Sequence, residues 1–556
     1  MAKKIVCAHG IFIIFVYAPK MSKKTAFRDA CQFNRGASLS KVAERSEWDI
    51  IVIGGGATGL GTALDAASRG YAVLLVEQAD FAKGTSSRST KLVHGGVRYL
   101  AQGNIGLVYE ALHERGLLLR NAPHLVKKQA FVIPCYSQVS KVKYLIGLKI
   151  YDWLSGSLSF GRSKALSKGD IIKQLPELKT NGLISGIEYW DGQFDDARLA
   201  VNIARTCAEK GGIVLNYFKV TGLLKTDTGK INGVIACDTE TQMLYHLKAK
   251  TVINATGVFV DDILQMDTAE SKPMVRPSQG IHIVLKKTFL SGSKAIMIPE
   301  TTDGRVLFAV PWHGHVLVGT TDTALDCSSL EPLALQKEIA FILDTAGKYL
   351  VTPPGLNDIM SVFAGLRPLA ISEKKVNSTK EISRSHKLVI AGSGLITITG
   401  GKWTTYRKMA EDTIDAAIRT GKLRSKKCKT SLLKIHGNCT IGSGTHLAVY
   451  GTDEQLINTL IKNDPQLGDK LHPSLPDLKA EVIWAVREEM ARTVEDVLAR
   501  RLRTLFLDAG AAIDMAPGVA GLIAAELKYD QKWQDDQVRQ FVELANQYLP
   551  IRPMFN

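Results

Sequence analysis

The sequence lacks the patterns that mark zinc-binding, disulfide-rich and membrane-spanning proteins. Its eight cysteines are scattered without a Cys-x-x-Cys pair or a zinc-like spacing, so we expect no metal site and a reduced compartment. No apolar run approaches the ~20 residues that a helix needs to cross a bilayer. The 54 Asp and Glu residues are fewer than the 70 Lys and Arg residues, and the resulting net charge of +16 suits an anionic membrane surface, nucleic acid or a phosphorylated substrate.

The length of 556 residues is too great for one compact core, so several domains are expected. We predict an N-terminal extension at 1–47, a nucleotide-binding domain at 48–260 that resumes at 386–425, a substrate domain at 261–385 and a helical domain at 426–556. The extension carries nine Lys or Arg against three acids. It is either a targeting peptide or a disordered leader produced by a start codon assigned too early, since Met21 offers a second start.

Residues 50–77 follow the order strand, glycine turn, helix, strand and acid of a dinucleotide-binding fold. Gly54 permits the tight turn, Gly56 lets a pyrophosphate approach the backbone, and Gly59 allows close contact between helix and strand. Glu77 closes the second strand, where it would accept hydrogen bonds from the ribose hydroxyls. The pattern predicts nucleotide binding but does not distinguish FAD from NAD, because both contain ADP.

Further along the chain, short alternating runs at 281–285, 306–310 and 316–319 predict an antiparallel sheet. His282 lies in the first run; taken alone, such a histidine is more often a packed core residue than a functional one. Residues 395–401 predict a strand that ends in two glycines and feeds a helix near Thr404, whose positive end could face a cofactor.

The C-terminal region predicts helices at 480–506, from Pro517 onward and at 533–548. Its arginines, of which Arg500, Arg501 and Arg503 are the densest group, alternate with acids. This favours a solvated or partner-facing surface over nucleic-acid binding, so no nucleic-acid partner is expected.

Several blocks of this sequence resemble the FAD-dependent glycerol-3-phosphate dehydrogenases, both the aerobic bacterial and the mitochondrial type. They are the turn at 55–59, the hydroxyl- and cation-rich run from Gly84 to Leu100, the run at 191–198, and the segments around His282, Arg367 and Lys402. The resemblance is close over about 48–419 and looser beyond. It implies an α/β fold with a Rossmann-like FAD-binding domain of the glutathione-reductase type, an antiparallel-sheet substrate domain and a C-terminal helical domain.

The resemblance also implies the chemistry and the residues that carry it. It implies non-covalent FAD and oxidation of sn-glycerol 3-phosphate to dihydroxyacetone phosphate, with hydride transfer from C2 to flavin N5. His282 is the first candidate for the base and His94 the second, and Arg367 either binds phosphate or stabilises the alkoxide. The implied substrate-binding residues are Arg98, Tyr99, Arg367, Arg384 and Lys402. The implied cofactor-binding residues are Gly54, Gly56, Gly59, Glu77, Thr85, Ser86, Ser87, Lys91, Leu92, His94, Val220, Ala255, Gly257, Thr399, Gly400 and Gly401.

The electron acceptor expected from the resemblance is a membrane quinone, because the related oxidases tend to carry an extra internal segment that is not evident here. Two alternatives stay open: a glycerol-3-phosphate oxidase that uses oxygen, and a flavin-binding protein without activity. Residues 141–154 predict either an amphipathic helix at a membrane surface or an ordinary core helix with lysines at its edge. We expect peripheral attachment to the cytoplasmic face of a bacterial inner membrane, with the mitochondrial inner membrane second, and a homodimer is compatible with the sequence.

Overall fold

The computed structural model describes residues 33–101, 103–299, 301, 304–371, 386–440 and 444–550, without the side chains of Arg98 and Ala101. Most of the predicted N-terminal extension, residues 1–32, and the predicted substrate-binding residue Arg384 lie outside this range.

The helices of the described residues, in chain order, are α1 Arg35–Glu44, α2 Ala57–Ser68, α3 Val97–Ala101, α4 Ile105–Asn121, α5 Gln138–Ser155, α6 Lys168–Gln174, α7 Asp196–Glu209, α8 Val260–Asp267, α9 Gln336–Tyr349, α10 Tyr406–Thr420, α11 Glu454–Asn463, α12 Lys479–Glu488, α13 Thr504–Leu507, α14 Ala509–Leu527 and α15 Gln531–Ala545.

The strands are β1 Glu47–Ile53, β2 Val73–Val76, β3 Leu92–Val93, β4 Val126–Cys135, β5 Lys164–Ser167, β6 Ser185–Phe194, β7 Ile213–Leu215, β8 Phe218–Lys225, β9 Ile231–Asp238, β10 Leu244–Asn254, β11 Val275–Lys286, β12 Ala295–Ile298, β13 Leu307–Trp312, β14 His315–Gly319, β15 Thr323–Ala324, β16 Ile359–Ala370, β17 His386–Ile390 and β18 Ile396–Gly400.

The first sheet has the strand order β17-β18-β10-β1-β2-β7, and its centre from β18 to β7 is parallel. Residues 50–53 of β1 and all of β2 are apolar and buried, because both faces of a parallel sheet are covered by other elements. Helices α2, α7 and α10 cover one face. The carboxyl ends of β1, β10 and β18 therefore lie side by side, with the glycine turn after β1 at the same edge.

The second sheet is mostly antiparallel and follows the order β15-β11-β14-β13-β12-β4-β6-β3, with β16 paired to β11. The predicted strands around 281–285, 306–310 and 316–319 are all present in it. Its pairing does not follow the predicted division at residue 260, because β3, β4, β5 and β6 also belong to this sheet. Local patterns predict a strand but carry no information about which sheet it joins.

The C-terminal region is helical, as predicted, but its internal divisions differ from the prediction. The continuous helix predicted at 480–506 is wrong: α12 ends at Glu488, and Met490 and Arg503 adopt positive φ. The prediction that Pro517 begins a helix is also wrong, since Pro517 lies inside α14. Burial of Met515, Val519 and Ile523 outweighs the hydrogen bond that the proline removes.

Three arginines of this region, Arg500, Arg501 and Arg503, form buried ion pairs, whereas the sequence predicted a solvated or partner-facing surface. Arg500 and Arg501 are 1% and 0% exposed, and both contact the carboxylate of Asp80. Arg503 contacts the carboxylate of Asp195 at 2.9 Å. The alternation of charge signs therefore reflects pairing with the nucleotide-binding domain, which the C-terminal region covers.

Candidate functional site

Two adjoining cavities lie where the first sheet meets the second. The smaller, of about 210 Å³, surrounds the glycine turn after β1, and the larger, of about 310 Å³, lies against β11 and β16. Six residues line both cavities: Thr85, Pro368, Gly400, Gly401, Lys402 and Trp403. The two spaces are therefore neighbouring parts of one site.

The smaller cavity has the form of a dinucleotide cradle. Gly54 has φ +110°, and a Cβ there would lie 2.6 Å from the carbonyl oxygen of Ala255. A Cβ on Gly59 would collide with the carbonyl oxygen of Gly54. The turn therefore requires glycine at both positions, and it brings the backbone at the start of α2 to the cavity wall, where a helix N-terminus favours negative charge.

Glu77 lies at the end of β2 on the wall of the smaller cavity. Its carboxylate accepts hydrogen bonds from the backbone N–H of Gly55 at 2.5 Å and of Ala79 at 3.0 Å. Burial raises the pKa of Glu77, and the two backbone donors oppose that rise. The carboxylate thus ties the glycine turn to β2 and keeps acceptor capacity for hydroxyl groups in the cavity.

Most predicted cofactor-binding residues line this pair of cavities. Gly54, Gly56, Glu77, Ser86, Val220, Ala255 and Gly257 line the smaller, Leu92 and His94 the larger, and Thr85, Gly400 and Gly401 both. The other four, Gly59, Ser87, Lys91 and Thr399, are buried and line neither. The side chains present thus fit an elongated cofactor with an ADP half at the glycine turn and its other half beside Gly400 and Gly401.

Lys91 has a structural contact where the sequence suggested a cofactor contact. Its ammonium group is fully buried and lies 2.7 Å and 2.9 Å from the two carboxylate oxygens of Asp196 at the start of α7. It also donates to the carbonyl oxygen of Ser87 at 2.5 Å. The side chain therefore fixes the loop that leads to the larger cavity.

His282 lies on β11 at the wall of the larger cavity, with its side chain 2% exposed. Its ring stacks on Phe363 of β16 with centroids 5.0 Å apart, and Gly319 of β14 leaves the space the ring occupies. Burial lowers the pKa of His282 well below its ordinary value, and the charges of Arg367 and Lys91 lower it further. The imidazole is therefore neutral at pH 7, and one of its two ring nitrogens carries no proton.

Arg367 reaches the same cavity from β16, which pairs with β11 in antiparallel register. Its guanidinium donates to Thr320 Oγ1 and to the carbonyl oxygen of Thr321, both at 3.0 Å, and lies 3.5 Å from Asp322. These contacts leave the guanidinium about a quarter exposed. These hydrogen bonds hold the guanidinium in a fixed position at the cavity wall, where its positive charge can contact a ligand.

The larger cavity is also lined by Lys402, Tyr99 and His94. The ammonium of Lys402 lies 4.1 Å from the centre of the Tyr99 ring, an attractive cation–π distance. The backbone N–H of His94 donates to Thr404 Oγ1 at 3.2 Å, and that of Gly95 donates to the hydroxyl of Tyr151 at 2.8 Å. The backbone of Arg98 lies in α3, and its side chain is outside what the structure describes.

The sequence reasoning missed several residues of the larger cavity. Thr90 donates to or accepts from His282 Nε2 at 2.9 Å, Asp322 and Thr320 hold Arg367, and Arg305 adds a further cation. Trp403 hydrogen-bonds the carbonyl oxygen of Ser86 at 2.8 Å between the two cavities. Thr90 lies within the hydroxyl- and cation-rich run from Gly84 to Leu100, and no local signal separates it from its neighbours.

The larger cavity can therefore bind an anion and take up a proton. Arg305, Arg367 and Lys402 bring positive charge to its wall, and guanidinium and ammonium groups are suited to phosphate. A neutral imidazole lies in the same wall. Within the described residues there is no cluster of His, Cys, Asp or Glu that could hold a metal ion.

Comparison with known proteins gives two family models and a set of relatives. The model of FAD-dependent oxidoreductases matches residues 49–407, and that of the C-terminal domain of alpha-glycerophosphate oxidase matches residues 384–534. The chain is 38% identical over 551 residues to the mitochondrial glycerol-3-phosphate dehydrogenase of Homo sapiens, covering 93% of this chain and 75% of that protein. It is 39% identical over 542 residues to the mitochondrial glycerol-3-phosphate dehydrogenase of Arabidopsis thaliana, covering 89% and 86%.

Solved structures agree with these relatives. The glycerol-3-phosphate dehydrogenase of Bacillus halodurans complexed with FAD matches with a TM-score of 0.76 and 28% identity, covering 95% of this chain and 99% of that one. The L-alpha-glycerophosphate oxidase of Mycoplasma pneumoniae with FAD bound has a TM-score of 0.54 at 18% identity, covering 69% and 97%, which shows the shared fold alone. The expected fold class is thereby confirmed.

Proposed function

The chain belongs to the family of FAD-dependent glycerol-3-phosphate dehydrogenases and is an FAD-dependent enzyme, and we propose that it oxidises sn-glycerol 3-phosphate to dihydroxyacetone phosphate and passes the electrons to a membrane quinone. The observation that carries the proposal is the joining of a dinucleotide cradle to a cavity that holds cations and a neutral histidine. A cofactor in the smaller space would extend into the larger one at Gly400 and Gly401.

Residues of the larger cavity supply binding and proton transfer in this proposal. FAD, when bound, supplies the acceptor for the hydride of the substrate carbon. Arg367 and Lys402 bind the phosphate, with Tyr99 beside Lys402 at the cavity wall. His282 takes up the proton of the secondary hydroxyl, since it is neutral and buried in the cavity wall.

Three assignments within this proposal stay open. His94 is the second candidate for the base, because it lines the same cavity. Arg98 and Arg384 remain proposed substrate-binding residues from the sequence resemblance. Arg367 could also stabilise the developing alkoxide, which its position in the cavity wall permits.

A membrane acceptor is supported by the outer face of α5. Five apolar side chains at helical spacing, Val139, Val142, Ile146, Ile150 and Trp153, are between 43% and 79% exposed. Lys141 and Lys143 lie on the same helix. An exposed apolar stripe with lysines beside it is the composition of a helix that lies in a membrane interface.

The membrane that α5 would contact is proposed to be mitochondrial. The human and Arabidopsis thaliana relatives, which carry this word in their names, are 38% and 39% identical to the chain, whereas the bacterial enzyme of known structure is 28% identical. Helix α14 is long and apolar enough to cross a membrane by length and composition, with 44% of that window buried. We interpret it as a core helix, because Met515, Val519 and Ile523 pack in the C-terminal core.

The proposed function is tested by spectroscopy on the purified holoenzyme. Glycerol 3-phosphate added without oxygen should bleach the flavin absorbance, and a soluble quinone analogue should restore it faster than air does. Faster reoxidation by oxygen with release of peroxide would identify an oxidase. Absence of bleaching would remove the dehydrogenase assignment altogether.

A further inference from the structure

The environment of His282 raises the question of how a substrate proton reaches its ring. Nδ1 is buried and has no hydrogen-bond partner among the residues that the structure describes. Nε2 lies 2.9 Å from the hydroxyl oxygen of Thr90. One nitrogen is thus enclosed and the other is already engaged, on a side chain that is 2% exposed.

Thr90 contacts this ring and lines the same cavity. It is only partly buried, it lines the larger cavity, and its hydroxyl can donate one hydrogen bond while accepting others. A substrate hydroxyl in the cavity can therefore meet Thr90 without displacing the Thr90–His282 contact. Direct contact with Nε2 would require that hydrogen bond to break.

The position of Thr90 is fixed by its two neighbours in the loop. Ser89 donates from its hydroxyl to Asp196 Oδ2 at 2.7 Å, and the ammonium of Lys91 contacts both oxygens of the same carboxylate. Asp196 is itself fully buried at the start of α7. A residue anchored on both sides keeps its side chain in one place, which proton transfer requires.

We propose that Thr90 is a proton-relay residue of this enzyme, an inference that rests on the proposed oxidation of a secondary alcohol. The hydroxyl of Thr90 accepts the proton of the substrate hydroxyl and gives its own proton to Nε2 of His282. One O–H bond of the substrate breaks, the Thr90 O–H bond is replaced, and an N–H bond forms on the ring. The electron pair of the substrate C–H bond leaves with the hydride to the flavin, and the carbon–oxygen double bond forms.

Binding of the substrate phosphate reduces the cost of protonating the ring. Burial, together with the charges of Arg367 and Lys91, lowers the pKa of His282 and keeps the ring neutral before the reaction. A phosphate dianion bound at Arg367 would offset one of these charges. The imidazolium formed by the relay would then be less unfavourable than in the free enzyme.

The relay is tested first with variants of the holoenzyme in single-turnover flavin reduction. Thr90→Val keeps the shape but removes the hydroxyl, and we expect a loss of about 10²-fold, within the range typical for loss of a proton-transfer group. Thr90→Ser restores the hydroxyl and should stay within about threefold of wild type. Thr345→Val is the matched control, because the hydroxyl of Thr345 donates to the carbonyl oxygen of Phe341 in its own helix, and Thr345 does not line the larger cavity.

Two further measurements separate a relay from a merely structural role. A relay moves two protons in one step. A plot of the flavin-reduction rate against the deuterium fraction of the solvent should therefore be curved, whereas transfer of a single proton gives a straight line. The second measurement is a long-range proton–nitrogen NMR spectrum of holoenzyme that contains nitrogen-15 in its histidines. The Nε2 signal of His282 is the one that disappears in His282→Gln, and Thr90→Val should shift it.

The outcomes distinguish the relay from the proposed function. If Thr90→Val reduces its flavin within threefold of wild type, or if the solvent-isotope dependence is linear, the relay is wrong while the dehydrogenase assignment stands. If wild type itself is not reduced by glycerol 3-phosphate, the proposed function fails before the relay is tested. An unchanged Nε2 signal in Thr90→Val would also overturn the relay.

Discussion

The guanidinium of Arg501 donates two hydrogen bonds to the carboxylate of Asp80, at 2.7 Å and 2.9 Å, and both side chains are fully buried. Asp80 follows Glu77 by three residues, in the turn beside the smaller cavity. Burial would raise the pKa of Asp80, but Arg501 and Arg500 more than offset this and hold it at about 2. The C-terminal region is therefore attached directly to the wall of the nucleotide cradle.

Replacing Arg501 with Met should destabilise the enzyme and weaken its hold on FAD. Breaking a buried ion pair costs about 3–5 kcal/mol. Because Arg500 still contacts Asp80 in this variant, we expect a loss near the lower end of that range, about 3 kcal/mol. Urea unfolding of the apoprotein measures the loss, and fluorescence titration measures the FAD dissociation constant. Arg539→Met is the control, because the Arg539 pair with Asp536 is largely exposed and should leave both quantities unchanged. If the two variants have the same unfolding free energy and the same FAD dissociation constant, the Arg501–Asp80 contact does not stabilise the nucleotide cradle.

Gly280 makes room for the guanidinium of Arg367, and this predicts a specific effect on substrate binding. A Cβ at position 280 would collide with Arg367 Nη2 and lie 2.5 Å from Thr320 Oγ1. Gly280→Ala should therefore displace the guanidinium and raise the Michaelis constant for glycerol 3-phosphate about tenfold to a hundredfold, the value of one or two charge-assisted hydrogen bonds.

The control for this change is Gly518→Ala, since position 518 lies in α14 with open space around its Cβ. It should leave the Michaelis constant unchanged, and the FAD content of both variants should equal that of wild type. A normal Michaelis constant in Gly280→Ala would show that Arg367 does not bind the substrate from its present position.

The depressed pKa of His282 predicts the pH dependence of flavin reduction. Because burial and the charges of Arg367 and Lys91 lower this pKa below its ordinary value of 6.5, the ring remains neutral as pH falls through 6.5. The rate constant for reduction divided by the substrate dissociation constant should therefore show no decline near pH 6.5 and should fall only at more acidic pH. Stopped-flow reduction across this range measures the profile. An acidic limb centred at or above 6.5 that disappears in a His94 variant would transfer the role of base to His94.

The glycine turn and Glu77 could be predicted from sequence because the whole pattern lies within about 30 residues. His282 and Arg367 came only with the family resemblance, since their meeting depends on the pairing of β11 with β16, far apart in the chain. The family resemblance also implies that Lys91 contacts the cofactor, whereas its ammonium group pairs with a carboxylate in the structure. Its partner Asp196 lies 105 residues away, a distance over which no local pattern operates.

The partners of the C-terminal arginines could not be predicted from the sequence either. Alternating arginines and acids are typical of a solvated helix, and nothing near Arg501 indicates that its partner is Asp80, 421 residues earlier in the chain. A buried ion pair and an exposed one have the same local composition. The surface stripe of α5, in contrast, could be predicted as a helix with apolar and basic residues, because its spacing is local.

The exposed stripe of α5 predicts which side chains attach the enzyme to a membrane. Ile146 and Trp153 are 58% and 78% exposed, so charge at these positions costs little in the free protein but must be desolvated in the interface. The double variant Ile146→Asp with Trp153→Asp should lose sedimentation with vesicles that contain anionic lipid. Leu432→Asp is the matched control, because Leu432 is 73% exposed but lies outside α5.

The salt dependence of this sedimentation separates the two contributions to attachment. If apolar insertion dominates, wild type should remain with the vesicles as salt rises, because only the attraction of Lys141 and Lys143 to anionic lipid is screened. Flavin reduction by glycerol 3-phosphate in solution checks that each variant is folded. Sedimentation of the double variant equal to that of wild type would place the membrane contact elsewhere, and α5 would then be an ordinary surface helix with an apolar stripe.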